Sequence, residues 1–371
     1  MKMRLSNKKE FAFNAICPYY TMFPLEYPIR ILRKHTHQTP VVLDPFCGRG
    51  TTIYAARKLG LTAYGLDISP IAAAIARAKL ARASVDDVIE LAERLLAKTP
   101  RAVPDTPFFN RGFSKSTLLQ LCSLREGLLG ETGWSNVAAI LRAAALGCLH
   151  GPLVETHEVP SYFSNQMPRT FSSKPDYSVR FWREKGLRAP KASVIDVIRK
   201  KLSRIDDLDT NAHGSPRNVK CSDARLAGSY RNLPKASVTI TSPPYYGMRT
   251  YVQDQWLRMW FLGGPAEVDY ENNNQISHSG YDAFIKDLAK VWKHVRENSR
   301  EDAHLYTRFG SIPSAKSDAK KLLRDSLEEC GGWQLISVRN ADSSAAGKRQ
   351  ADYMGRDSVP AEEYDFHAVV N

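Results

Sequence analysis

One short segment has residue types suited to holding an amine: Thr241-Ser-Pro-Pro-Tyr-Tyr-Gly247. It follows Ser237-Val-Thr-Ile-Thr241, an apolar, β-branched run that reads as a buried strand, so it stands at a strand's C-terminal end. Two prolines fix φ and remove two N–H donors, leaving carbonyl oxygens facing outward from a rigid turn. Rigid acceptors suit a group that must donate hydrogens. If Ser242 Oγ and the Pro243 carbonyl accept the hydrogens of an exocyclic base amine, the nitrogen lone pair is less conjugated into the ring and more nucleophilic. Tyr245 offers a flat face on which a base taken out of a duplex can stack. Ser242, Pro243, Pro244 and Tyr245 are therefore the candidate catalytic residues. The plain alternative is a proline-stiffened surface turn with Tyr245 in the core.

A second segment, Asp44-Pro-Phe-Cys-Gly-Arg-Gly50, ends another short apolar strand, Pro40-Val-Val-Leu-Asp44, and precedes a helix from Thr51 to Leu59. Ligands of open α/β sheets bind at strand carboxyl ends, and glycines there permit a tight turn and close backbone approach. The pattern is neither a full GxGxxG fingerprint nor a phosphate loop, since no GK[ST] occurs. Asp67 ends the next strand, Thr62–Leu66, where a carboxylate can accept from two ribose hydroxyls. Asp223 ends a third, Val219–Asp223, and can accept from an adenine amino group. Taken singly, these are a βα turn and helix-capping aspartates. On three successive strand ends they point to an adenosine-type cofactor.

Together these residues resemble the amino-methyltransferase family of DNA methylases. Asp44-Pro-Phe-Cys-Gly-Arg-Gly50 is similar to the family's D-x-F-x-G-x-G cofactor signature, and Ser242-Pro-Pro-Tyr245 to its [DNS]-P-P-[YFW] catalytic signature. Tyr19-Tyr-Thr-Met-Phe-Pro24 resembles the upstream segment that helps hold the methionine part of S-adenosylmethionine. Gly65-x-Asp67 and Ser222-Asp223 match its acidic strand ends. The resemblance implies S-adenosylmethionine as methyl donor, held by Thr21, Phe23, Asp44, Phe46, Gly48, Gly50, Asp67 and Asp223. It also implies base flipping, direct transfer without a covalent enzyme intermediate, and an α/β class I methyltransferase fold. That fold is Rossmann-like, with a mostly parallel seven-stranded sheet. Ser in the first catalytic position usually goes with cytosine N4, and Asp or Asn with adenine N6.

The elements that must position these turns alternate as strand and helix up to about Ala83 and again from Val219. Later expected elements are helices at Tyr281–Val295 and Lys316–Cys330, a strand at Ala303–Arg308, and strands at Trp333–Val338 and Glu363–Val370. The alternation breaks over residues 84–217, which read as a large, mainly helical insertion. Helices are expected at Asp86–Ala97, Ser116–Leu129, Asn136–Leu149 and Val194–Ile205, with little periodicity between Ser161 and Pro190. The expected organisation is a catalytic core, 1–83 and 218–371, with 84–217 as the DNA target-recognition region. Residues 249–258 are expected to form a helix packed on the sheet, with Trp256 and Trp260 buried.

Charge supports a polyanionic partner, with 52 Lys+Arg against 39 Asp+Glu, a net +13. Double-stranded DNA is the expected partner. The window 161–205 interleaves basic residues with Tyr162, Phe163, Phe171, Tyr177, Phe181 and Trp182. Arg169, Lys174, Arg180, Arg183 and Arg188 are the candidate DNA contacts. Six cysteines form no CxxC pair and nine histidines no metal pattern, so no metal is expected. No apolar run is long enough to span a membrane, and no secretory h-region opens the chain, so a cytoplasmic protein is expected. The leading expectation is a site-specific DNA cytosine-N4 methyltransferase. Adenine-N6 methylation, RNA guanine-N2 methylation and a non-catalytic DNA-binding subunit are the alternatives.

Overall fold

The structure is a computed structural model. It describes residues 12–19, 23–131, 134–151, 159–167, 174–206, 208, 213–247, 252–268, 280–310, 317–341 and 362–371. In chain order the helices are α1 (Glu26–Leu32), α2 (Thr51–Lys58), α3 (Pro70–Ala78), α4 (Val85–Leu96), α5 (Pro107–Gly112) and α6 (Lys115–Gly130). Then come α7 (Asn136–Cys148), α8 (Pro175–Glu184), α9 (Val194–Leu202), α10 (Trp256–Phe261), α11 (Tyr281–Glu297) and α12 (Ala319–Cys330). The strands are β1 (Val41–Asp44), β2 (Thr62–Asp67), β3 (Val219–Cys221), β4 (Ala236–Thr241), β5 (Ser299–Gly310), β6 (Trp333–Asn340) and β7 (Glu363–Val370).

The chain divides into two compact units. One, residues 20–76, 212–250 and 274–371, holds the sheet. Its seven strands run in the order β3-β2-β1-β4-β5-β7-β6. The first five are parallel to one another, and β7 is antiparallel to both β5 and β6. Every residue of β4 is buried, as a central parallel strand requires. Beneath one face, Leu43, Leu66, Phe284, Leu288, Trp292, Leu305, Leu322 and Phe366 form a continuous apolar core.

The other unit, residues 1–19, 77–211 and 251–273, is helical and takes in most of the 84–217 segment. A reciprocal capping box between Ser84 and Asp87 starts α4. Two helices here escaped the sequence pattern. α5 has six residues, too few to show a period, although Thr106 caps it and Pro107 opens it. α8 begins at Pro175 and buries only Ser178, Val179 and Trp182, a stripe too thin to read against its charged neighbours. Trp256 and Trp260 are buried as expected, and their ring partners include α5 aromatics. Trp256 lies 4.7 Å from Phe108 and Trp260 4.7 Å from Phe109, centroid to centroid.

Within this unit α7 lies so close to the 12–17 segment that a Cβ on Gly147 would fall 2.1 Å from the Ile16 carbonyl oxygen. Gly147→Ala is therefore expected to destabilise the protein by at least about 2 kcal/mol, the upper part of the overpacking range. Urea unfolding of the two proteins side by side measures this.

Candidate active site

The two chemically suggestive turns leave adjacent strands. β1 and β4 pair in parallel, Val42 with Val238 and Leu43 with Thr239, so Asp44 and Thr241 end side by side. Thr241 Oγ1 donates to Asp44 Oδ1 at 2.6 Å in a buried hydrogen bond. One residue into α2, Thr52 Oγ1 donates to the Ile240 carbonyl at 3.2 Å. The glycine turn and the proline turn are thus fastened together at their bases. Asp44 Oδ1 also accepts from the Phe46 amide at 3.2 Å. Phe46 packs edge-on to Trp292, centroids 6.4 Å apart.

The glycine turn takes two left-handed residues, Gly48 (φ 50°) and Gly50 (φ 81°), a geometry that strains residues bearing a Cβ. Gly50 is also the N-cap of α2. The Gly48 amide donates to Asp67 Oδ2 at 2.9 Å, and the Ser69 amide to Asp67 Oδ1 at 2.8 Å. The end of β2 thereby holds the turn that follows β1. At the end of β3, the Ser222 amide donates to the Asp67 carbonyl at 2.9 Å. Asp223 is bound by Arg225, whose Nε lies 3.0 Å from both carboxylate oxygens and whose Nη1 reaches Asp287 Oδ2 at 2.7 Å.

Two observations test whether an adenosine-type donor fits here. A Cβ on Gly48 would meet nothing within 4 Å, so the turn borders open space. Ser222 Oγ is buried without a hydrogen-bond partner, an orphan at the strand end where such a ligand would lie. The donor set of glycine amides, carboxylates and a hydroxyl suits a nucleoside with hydroxyl and amino groups. Asp67 offers lone pairs beyond the two it uses. Asp223 is already committed to Arg225, two residues further along the chain.

In the proline turn, Pro243 is buried, Pro244 exposed, and Ser242 and Tyr245 half-buried. Tyr245 stands perpendicular to Phe309, 5.7 Å between centroids, and its hydroxyl donates to Glu363 Oε1 at 2.9 Å. Glu363 is a polar residue of this site that sequence reasoning missed. No spacing could signal it, because β7 brings it from the far end of the chain. Phe23 lies just before α1, edge-on to Tyr27 at 5.4 Å. Thr21 and Arg169 fall outside the described residues. Lys174, Arg180, Arg183 and Arg188 are exposed on or beside α8 in the helical unit. Of the aromatics in that window, Trp182 and Phe163 are core, and Trp182 Nε1 donates to the Gln166 carbonyl at 2.7 Å. Tyr177 is 49% exposed, with Arg180 over its ring at 6.0 Å. Among the described residues no group of three or more His, Cys, Asp or Glu could hold a metal ion. No helix among them is long and apolar enough to cross a membrane.

The strand order, the single reversed strand β7 and the turns at the C-terminal ends of β1 to β4 define a class I methyltransferase fold. Residues 3–78 match the family model described as DNA methylase. Over 86 residues the chain is 30% identical to the Type II methyltransferase M.MjaII of Methanocaldococcus jannaschii, a match spanning 23% of this chain and 16% of that relative. Over residues 3–78 the chain is thus similar to the amino-methyltransferase family of DNA methylases, enzymes that use S-adenosylmethionine as methyl donor. Solved structures similar in outline include the rRNA methyltransferase aviRa of Streptomyces viridochromogenes. It has TM-score 0.32 and 10% identity, over 95% of this chain and 87% of that one. Magnesium protoporphyrin IX methyltransferase of Synechocystis PCC 6803, solved with bound donor, has the same score and identity, over 97% and 90%. Likenesses this slight carry no argument about substrate.

Burial raises the Asp44 carboxyl to about 7, outweighing its hydrogen bonds, and raises Asp67 to about 6. A raised native pKa means that the folded chain binds more protons than the unfolded chain between about pH 4 and 7. These two groups therefore lose stabilising effect as pH rises through that window. His35, His304 and His367 cluster between the α1 end and β5–β7 and are shifted down by burial, His367 to about 4. They act in the opposite sense, losing stability as pH falls below their ordinary range. Asp44→Asn keeps the acceptor for Thr241 and removes the charge. Its stability relative to the unsubstituted protein should improve as pH rises from 5.5 to about 7 and level off toward pH 8. Urea melts across that range would show a constant difference if Asp44 were ionised throughout.

Proposed function

We propose that the protein methylates the exocyclic N4 amine of a flipped-out cytosine in double-stranded DNA, in a sequence-specific manner. The observation that carries this reading is the buried Thr241–Asp44 bond, which fastens the amine-accepting turn to the donor turn. The serine in first place of Ser242-Pro-Pro-Tyr245 supports N4 over adenine N6. When bound, S-adenosylmethionine would supply an electrophilic methyl carbon on a sulfonium. The chain's own residues do the rest by position. Asp67, through its carboxylate, and Gly48 and Gly50, through their backbone, hold the ribose side of the donor. Ser222 and Asp223, the latter fixed by Arg225, border its adenine. Thr21, Phe23 and Phe46 are assigned to its methionine side, and Asp44 orients the turn. Ser242 Oγ and the Pro243 carbonyl accept the amine hydrogens, Pro244 keeps the turn rigid, and Tyr245 supports the flipped base. The nitrogen lone pair forms the new N–C bond as the C–S bond breaks, and the amine proton leaves to solvent.

For DNA, we assign backbone contacts to the helical insertion, with Arg169, Lys174, Arg180, Arg183 and Arg188 as phosphate ligands. The exposed basic and aromatic surface of α8 supports this. Arg183 shares a surface notch with Arg111 and Asn110 of α5. Arg111 Nε is buried there without a hydrogen-bond partner.

Incubation with tritiated donor and duplex DNA or tRNA, followed by nucleoside separation, tests the reading. N4-methylcytosine from DNA is the expected product. N6-methyladenine, label in tRNA guanine, or donor binding without transfer would each replace it. Tyr245→Ala and Pro244→Ala should lower kcat by about 100-fold or more, with donor affinity within a few fold, because they act on the amine. Asp67→Ala should weaken donor binding first, by about tenfold or more, since it loses charge-assisted hydrogen bonds. Calorimetry with the donor and steady-state kinetics separate the two effects. Duplex affinity should fall steeply with salt, and Arg180→Gln with Arg183→Gln should flatten the slope of log K against log salt by about two.

A further inference from the structure

We propose that Glu363 is a positioning residue for the proline turn, holding the Tyr245 ring by its phenol oxygen so that it meets the substrate base at one fixed angle. This rests on the methyl-transfer reading above and adds a residue that neither family signature contains.

The topology explains how such a residue reaches the site. A parallel strand beside β5 would begin at the sheet edge remote from the turns. β7 instead runs antiparallel, and its first residue, Glu363, pairs with Gly310, the last residue of β5. The start of β7 therefore lies at the same edge as the C-terminal ends of β1 and β4, beside the proline turn. The reversed strand delivers a carboxylate where every parallel strand delivers its end.

The seat for the ring is shaped on several sides. Phe309 stands perpendicular to it at 5.7 Å. A Cβ on Gly310 would come within 3.1 Å of Tyr245 Cε2, so a side chain there would press on the ring. The hydroxyl is fixed by Glu363 Oε1 at 2.9 Å. The next residue takes another direction, since Tyr246 packs on Phe284 at 5.3 Å and Tyr281 at 6.2 Å, both on α11. The two tyrosines thus divide the labour, Tyr246 tethering the turn to α11 and Tyr245 standing on β5 and β7. Burial and the Glu363 charge keep the Tyr245 phenol well above its ordinary pKa, so it remains a donor to the carboxylate.

A double-mutant cycle tests this, with kcat/KM on duplex DNA as readout and donor affinity as control. Glu363→Ala and Tyr245→Phe should each lower kcat/KM by about 5- to 20-fold, the loss of one orienting hydrogen bond, with donor affinity within about twofold. The double variant should be no worse than the weaker single variant by more than about twofold, since both remove one interaction. Glu363→Gln, whose amide oxygen still accepts, should recover most of the activity. If Glu363→Ala does not fold, Tyr245→Phe against Glu363→Gln still decides. Multiplying losses, or Tyr245→Phe equal to the unsubstituted protein, overturns the positioning role while leaving methyl transfer intact. Absence of transfer by the unsubstituted protein on any nucleic acid overturns both.

Discussion

The hydrogen bond from Thr241 to Asp44 is the constraint on which the rest of this site depends. On the proposed reading a donor molecule and an acceptor base approach within bonding distance, each held by its own loop. Loops on neighbouring strands are free to splay unless something joins their roots. Here the last residues of two buried parallel strands are joined directly, and Thr52 adds a second link from the following helix to Ile240. Because Asp44 is buried, with its charge disfavoured, little solvent competes for this bond. The separation of the loops is set by the sheet.

A second level of organisation comes from carboxylates that bind protein before they bind anything else. Asp67 closes onto the amides of Gly48 and Ser69, and Asp223 onto Arg225, which also holds Asp287 of α11. Such groups are oriented in advance, so ligand capture does not have to freeze them. Asp67 therefore shapes the turn as well as presenting a lone pair, and its replacement would disturb the backbone of the neighbouring loop.

The parts of the fold legible in the sequence were those whose signal is local. β1, β4, the glycine turn and the proline turn each show within ten residues. The two late strands were also readable, from Trp333 and Glu363 onward. Amphipathic helices such as α4 and α9 declared themselves by period. What stayed hidden was either too short to show a period, as α5, or sparse in apolar residues, as α8. Partnerships across the chain were hidden as well. The burial of Trp256 could be foreseen, but its neighbour Phe108 could not. Glu363 with Tyr245 and Arg225 with Asp287 belong to this class, because an interaction between distant segments leaves no mark on either one alone.

The absence of a methyl group at Gly65 has a consequence for how this molecule can change. A Cβ there would lie 3.0 Å from Cys47 Sγ and 3.2 Å from Ile53 Cδ1. Cys47 immediately precedes Gly48, so bulk added in the second strand would push the loop after the first. Three positions on three different elements share one small volume. Bulk added at any one of them has to be offset by a smaller side chain at another, so the shared space and not any one side chain is the constrained quantity.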